Sequence, residues 1–290
     1  MIATVDAPVQ RLPRHGASSD VDAARVARLA GLPAAQVEVV DEIGSTNQAL
    51  LARPSCEVPT VLIALNQSAG RGRRGRAWVG DPRDGLALSV SMSRALAPGA
   101  RSLAGLTPAL GLALAEALAP RVPGLVVKWP NDLQRNGRKV AGTLVETRHA
   151  DGRERVVVGV GVNLRVSDAL ARGVDQPIAG LLDGPSPEGG AGLSREDVAG
   201  LVARALVEAL GRFFRDGFAD TARRWPRFDA LDGRDVVVTD AGQVLLSGRA
   251  EGIDDTGALR VRTAERVAAV TVGDVSVRVS VPPARGSEPR

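Results

Sequence analysis

The chain of 290 residues contains no tyrosine, four phenylalanines confined to positions 213–228, and three tryptophans. So few rings leave little stacking surface for a protein that grips single-stranded nucleic acid through its bases. One cysteine, Cys56, excludes an internal disulfide, and two histidines, His15 and His149, leave no Cys/His set for a structural zinc ion. No apolar run approaches the roughly 20 residues of a membrane-spanning helix, and the opening MIATVDAPVQRLPRHG lacks the apolar core of an export signal. No membrane partner is expected, and a cytoplasmic location is the default. Lysine is scarce as well: of 37 basic residues only Lys128 and Lys139 are not arginine. Where arginine supplies nearly every positive charge, these two positions mark a need for a compact, movable ammonium instead of a planar fork.

What the chain does have is a glycine-rich cationic segment. GRGRRGRAW, Gly70 to Trp78, places four arginines and three glycines in its first seven positions. The net charge of the whole chain is +4, equal to that of these arginines, so the remainder is balanced. That disfavours a broadly basic nucleic-acid surface, and no DNA partner is expected. Gly70, Gly72 and Gly75 satisfy G-x-G-x-x-G, yet AWVGDPRDG follows instead of the helix that a dinucleotide-binding loop must open. Four neighbouring guanidinium groups repel, and ordering so pliable a backbone costs on the order of 1 to 2 kcal/mol per residue. A polyphosphate reverses the balance, because a charge pair at about 4 Å contributes roughly 4 kcal/mol at an effective dielectric near 20, before desolvation. The segment is predicted to be a lid, unsettled alone and folded by an anion, that keeps water from what lies beneath.

Residues 1–19 read as a flexible tail of mixed Pro, Gly, Ser and Arg. DVDAARVARLAGLP predicts a short helix capped by Asp20 and stopped by Gly31, and STNQALLARP a second, with Ser45 and Gln48 as a capping box. QVEVVDEI and VPTVLIALNQ read as strands; GLALSVSMSR alternates strictly, as a half-covered strand does. PALGLALAEALAP is an apolar helix entered at Thr107 and Pro108. GLVVKWP, RKVAGTLVET and RERVVVGVGVNL predict closely spaced antiparallel strands, with turns at NDLQRNG and HADG. A surface loop, GVDQPIAGLLDGPSPEGGAG, leads to a long helix with Ser194 as cap and Asp197 three residues on. Short strands with turns at DAGQ and DDTG then predict a small all-β barrel. The expected division is a tail over 1–19, a catalytic domain over 20–228, a barrel over 229–282 and a tail over 283–290.

Taken in order, GSTNQAL (44–50), NQSAGRGRRGRAW (66–78), KWPNDL (128–133), KVAGTLVE (139–146) and VGVGVNL (158–164) resemble the biotin protein ligases, over roughly residues 36–280. The resemblance implies an α+β fold: a mixed, largely antiparallel sheet backed by helices, like the class II aminoacyl-tRNA synthetase core, with an SH3-like barrel behind it. It departs from regulatory members in having no N-terminal DNA-binding domain, so a repressor role is not expected. It further implies two steps. Biotin and ATP give biotinyl-5'-adenylate and pyrophosphate, and the acyl group then passes to a lysine of the biotin carboxyl carrier domain of acetyl-CoA carboxylase or a related carboxylase.

That chemistry assigns roles to the motifs. Biotin's carboxylate is already ionised at neutral pH and needs help approaching another anion, so Lys139 is the candidate for neutralising both. Arg71 and Arg73 are expected at the biotin and the adenylate, with Gly70 and Gly72 beside them, and Arg74 and Arg76 at the phosphates. Ser45, Thr46, Asn47 and Gln67 are small polar groups suited to a ureido ring. Gly142 and Gly159 interrupt good strands where a ligand approaches backbone, as does Gly161, and the resemblance adds Leu144 to the biotin contacts. Asn163 and Asn131 are expected toward the nucleotide, Trp78 stacked on the purine, and Asp132 as a ligand for Mg²⁺ carried in with ATP. Lys128 belongs to the same corner without an assigned role. Two rivals remain: a lipoate or octanoate ligase or transferase of the same architecture, and a non-enzymatic nucleic-acid binder using the Arg/Gly segment.

Overall fold

Apolar β-branched runs and one long amphipathic helix dictate most of the architecture. A computed structural model describes residues 21–54, 58–96, 101–183, 192–273 and 275–280. The two expected tails, Asp20, His15 and Cys56 lie outside the described residues. One sheet takes seven strands: β1 (Val37–Ile43), β2 (Thr60–Gln67), β3 (Gly85–Ala95), β4 (Leu125–Lys128), β5 (Asp132–Arg135), β6 (Arg138–Ala150) and β7 (Arg153–Asn163). Their order is β1-β2-β3-β7-β6-β5-β4. The β1–β2 pair is parallel and the other neighbours are antiparallel.

Helices cover one face. α1 (Ala23–Ala30), α3 (Leu106–Leu118) and α5 (Arg195–Asp216) share an apolar core with Val61, Ile63, Leu86, Leu88, Val90, Val158 and Val160 of the sheet. The cap of α1 is Asp22, whose carboxylate accepts from the Ala24 N–H, and not the expected Asp20; Gly31 ends the helix in the left-handed region. α5 carries the expected capping box, with the Ser194 and Asp197 side chains each accepting from the other's backbone N–H. The opposite face carries α2 (Thr46–Ala52), whose Leu50 packs on Leu62 and Val157.

Three expectations for this half need correction. β3 is covered on both faces, because α2 lies over its serine side: Ser89 is 0% exposed. NDLQRNG is not all turn, since β5 begins at Asp132 and fills the space between β4 and β6. Ser45 makes no side-chain cap bond; the Thr46 N–H donates instead to Gln67 Oε1 at 2.8 Å, across from β2. The predicted loop before α5 also follows a short helix, α4 (Asp168–Arg172), and Pro177 and Ala179 pair with the backbone of Lys139.

After α6 (Ala219–Arg224) come β8 (Asp235–Asp240), β9 (Gln243–Ile253), β10 (Leu259–Arg262), β11 (Val267–Val270) and β12 (Val275–Val279). They form an antiparallel sheet ordered β11-β10-β9-β8-β12. Trp129, Trp225 and Phe228 are buried against Leu112 and against Val236, Val238, Leu259 and Val261 of this second sheet, so the two parts share a core. Trp129 Nε1 also donates to the Gly257 carbonyl at 2.9 Å. The second sheet is thereby held beside the C-terminal end of β4, where Lys128 lies.

Candidate active site

The register of the large sheet lines up the residues singled out in the sequence. Lys128 pairs with Asp132, Asp132 with Gly142, Gly142 with Gly161, and Gly161 with Ala87, so one row crosses five strands. Charge occupies one end of the row and bare backbone the middle. A Cβ at Gly161 would stand 2.1 Å from Trp78 Cε2, and one at Gly142 would stand 2.9 Å from Lys139 Cε. These glycines exist because an indole and a lysine stem lie flat on the sheet. Lys139 Nζ reaches to 2.8 Å from Asp132 Oδ1 and lies 5.4 Å from the Trp78 ring centroid. A charge pair and a cation–π contact thus hold one ammonium over the row.

The adjacent row, Leu144, Gly159 and Ser89, lies beneath a network of polar side chains. Ser89 Oγ is 2.7 Å from both Thr46 Oγ1 and Asn47 Oδ1, while the Thr46 hydroxyl donates to Gln67 Oε1 at 3.1 Å. Asn47 Nδ2 donates to the Leu144 carbonyl at 3.3 Å and to Glu146 Oε2 at 2.9 Å. A Cβ at Gly159 would stand 2.4 Å from Asn47 Oδ1. Both amide hydrogens and the oxygen of Asn47 are therefore engaged within the protein, which makes it a strut that steadies this floor. Ser45, Thr46 and Asn47 are buried, and a cleft edged by Gln67, Trp78 and Ala87 opens beside them.

The arginine segment is folded across this surface. Gly70 and Trp78 are joined by a backbone hydrogen bond, Arg71 and Ala77 form a bridge, and Arg73–Gly75 make one tight turn with Arg74 at a φ of 61°. A left-handed conformation at a residue with a Cβ costs on the order of 1 to 2 kcal/mol, so other contacts must hold the turn. They come from two directions. Arg73 donates to Asn131 Oδ1 at 2.9 Å and to the Gly273 carbonyl at 2.7 Å; Arg74 and Arg76 reach Ser276 Oγ of β12 at 2.7 and 3.3 Å. Arg71 turns the other way, to Glu146 Oε1 at 3.2 Å. The segment therefore spans from the polar floor to the second sheet.

Positive charge gathers where it ends. Burial holds the Lys128 ammonium below the ordinary lysine range; Asp132 counteracts this, while Lys139, Arg278 and Arg76 add to it. Among the described residues Lys128 has no ion pair within 4 Å. A desolvated ammonium beside other cations is costly and suited to an anion. Asn131 is fixed by Arg73 and by its own donation to the Thr143 carbonyl at 2.9 Å, and Asn163 Nδ2 lies 3.5 Å from the Lys139 carbonyl. No group of three or more His, Cys, Asp or Glu converges among the described residues, so Asp132 stands as a single carboxylate.

The site is thus elongated, running from a neutral polar floor (Thr46, Gln67, Ser89), past an indole and one ammonium, to a cationic corner (Lys128, Arg74, Arg76, Arg278). Residues 39–163 match the family model described as biotin/lipoate A/B protein ligase, and residues 233–278 match the biotin protein ligase C-terminal domain. The bifunctional ligase/repressor BirA of Escherichia coli (strain K12) is 34% identical over 86% of this chain and 76% of its own length. The biotin–[acetyl-CoA-carboxylase] ligase of Mycobacterium tuberculosis is 34% identical over 83% of this chain and 88% of its own length. The fold is shared with the biotin protein ligase from Aquifex aeolicus in complex with biotin and ATP, with a TM-score of 0.67, 24% identity, and coverage of 84% and 98% of the two chains. The chain belongs to the biotin protein ligase family.

Sequence reasoning missed Ser89, Glu146, Ser276 and Arg278. Ser89 carried a signal: it recurs with Ser91 and Ser93 on one side of an alternating strand, and in the structure that side is buried, with the Ser89 hydroxyl bonded to Thr46 and Asn47.

Proposed function

We propose that this chain activates biotin with ATP, forming biotinyl-5'-adenylate, and transfers the acyl group to a lysine of a biotin carboxyl carrier domain. The observation that carries the reading is the single ammonium of Lys139, poised between a neutral polar floor and a cationic corner. An elongated molecule with a urea at one end, a carboxylate in the middle and phosphates beyond it meets a matching group at each position. The relatives that match over most of this chain are biotin ligases, which is why the lipoyl or octanoyl alternative is set aside.

In the first step a biotin carboxylate oxygen attacks the α-phosphorus of ATP, and the bond to the bridging oxygen breaks to release pyrophosphate. Lys139 shields the two anions from each other, while Arg74, Arg76, Lys128 and Arg278 hold the departing charge. Gly70, Gly72 and their neighbours bring the lid close enough for Arg71 and Arg73 to cover the mixed anhydride, which water would otherwise cleave. Asn131, Asn163 and Trp78 border the nucleotide, and Ser45, Thr46, Gln67, Gly142, Leu144 and Gly159 border biotin. Asp132, a lone carboxylate beside Lys139, would be the residue to hold Mg²⁺ carried in with ATP, and the metal would supply charge neutralisation there. In the second step the neutral acceptor amine attacks the carbonyl carbon, AMP leaves with the bonding electrons, and one amine proton passes to the departing phosphate or to water, leaving the amide.

The acceptor is proposed to be the carrier domain of acetyl-CoA carboxylase or a close relative, met in the cytoplasm. No helix among the described residues is long and apolar enough to cross a membrane. The test is incubation of purified protein with biotin, ATP, Mg²⁺ and a purified carrier domain, read by intact-mass spectrometry. One biotinyl adduct, on one lysine, is expected. An unmodified carrier together with an octanoylated one in a parallel octanoate reaction would overturn the assignment.

A further inference from the structure

Glu146 is a carboxylate that neither step consumes. It follows Gly142 and Leu144 on the same face of β6, four and two positions along, and so stands at the far side of the polar floor from Lys139. Its two oxygens face different elements. Oε2 accepts from Asn47 Nδ2 at 2.9 Å, at the start of α2, and Oε1 lies 3.2 Å from Arg71 Nη1, at the root of the lid. Glu146 is the one ion-pair partner of Arg71 among the described residues. The other three lid arginines are drawn toward Asn131 and the second sheet. Without Glu146 the lid would be tethered from one side only.

We infer that Glu146 is a positioning residue that latches the root of the arginine lid to the polar floor, and that its role is to retain the acyl adenylate. It acts through Arg71 and Asn47 and need not touch the reacting atoms. The link has a chemical logic. Asn47 is held on three sides, by Ser89, Leu144 and Glu146, so the carboxylate is fixed before it meets Arg71 and can hold the guanidinium at a set place. The Arg71 side chain is 43% exposed and that of Glu146 20%, so the pair is a modest one and its rupture is an opening event, not an unfolding one.

The inference rests on the proposed function, and the experiment separates the two. Synthetic biotinyl-5'-adenylate is bound to the full-length protein, excess unlabelled adenylate is added, and release is followed. Failure of the wild type to bind the adenylate overturns the functional reading and this one with it. Given binding, Glu146→Gln keeps an acceptor for Asn47 but loses the charge for Arg71. Release about fivefold faster is expected, as for loss of a part-exposed pair; less than threefold overturns the latch alone. Arg71→Gln is measured singly and with Glu146→Gln. A latch requires the double variant to release no faster than the quicker single variant, and multiplied effects contradict it. Should Glu146→Gln not fold, Glu146→Asp, too short to reach both partners, carries the test with the same threefold threshold.

Discussion

Lys139 Nζ lies 2.8 Å from Asp132 Oδ1, and both side chains are largely removed from solvent. The pair explains how the chain keeps a lone ammonium ready without a bound anion: Asp132 fixes it over Gly142 until biotin's carboxylate and the α-phosphate take its place. A guanidinium would be longer and flatter and could not pivot over the glycine. Lys139→Arg is therefore expected to lower single-turnover adenylate formation more than tenfold, measured as AMP incorporated into acid-stable product. A wild-type rate in that variant would show that charge alone suffices.

Lys128 supports a separation of stability from binding. Burial and the neighbouring Lys139, Arg278 and Arg76 depress its pKa. Removing that charge relieves repulsion in the empty protein and takes one cation from the phosphate corner. Lys128→Met is expected to leave the thermal midpoint equal or higher while raising the KM for ATP about tenfold, equivalent to ~1.4 kcal/mol. A lower midpoint with unchanged KM would mean that the lysine is structural.

Trp78 rests on Gly161, and no side chain fits between them: a Cβ there would stand 2.1 Å from the indole. Gly161→Ala must displace the ring from the sheet. Adenylate formation is expected to fall at least tenfold, with one tryptophan becoming quenchable by iodide while Trp129 and Trp225 stay buried. Unchanged quenching would contradict the packing described for the row.

Glu154 predicts an acid-limb effect far from the site. Burial pushes its pKa up, but hydrogen bonds from His149 and Arg94 and the Arg94 charge outweigh this, and the net value lies below the ordinary 4.5. With the folded pKa depressed, the stabilisation is fully present above the unfolded value and is lost as pH falls through the folded one. Glu154→Gln should be about 1 to 3 kcal/mol less stable near neutral pH, in urea denaturation, with the difference shrinking only as pH falls below the ordinary carboxylate value of 4.5. A constant difference down to strongly acid pH would refute the linkage.

Much of this site could be read in advance because its residues are unusual for their surroundings. Two lysines among arginines, four arginines on glycines, and glycines inside apolar strands each violate a local preference, and such violations concentrate at sites. Residues that look ordinary stayed hidden. Ser276 and Arg278 become relevant only when Trp129, Trp225 and Phe228 fasten the second sheet beside β4. Glu146 resembled any polar strand residue until α2 and the lid closed over it. β5 was missed because Asp132, Gln134 and Arg135 have little strand preference of their own; pairing with β4 and β6 imposes the conformation. The supposed capping box at Ser45 failed for a related reason: a tertiary partner, Gln67, reached the helix start first.

The central claim is that one ammonium between a urea-sized floor and a cationic corner joins biotin to the α-phosphate of ATP. Exchange of labelled pyrophosphate into ATP reports that step alone, without any carrier domain. Exchange that requires biotin, is not supported by lipoate or octanoate, and is lost in Lys139→Arg is the predicted result; exchange that proceeds equally without biotin, or none at all with the folded wild type, would contradict it.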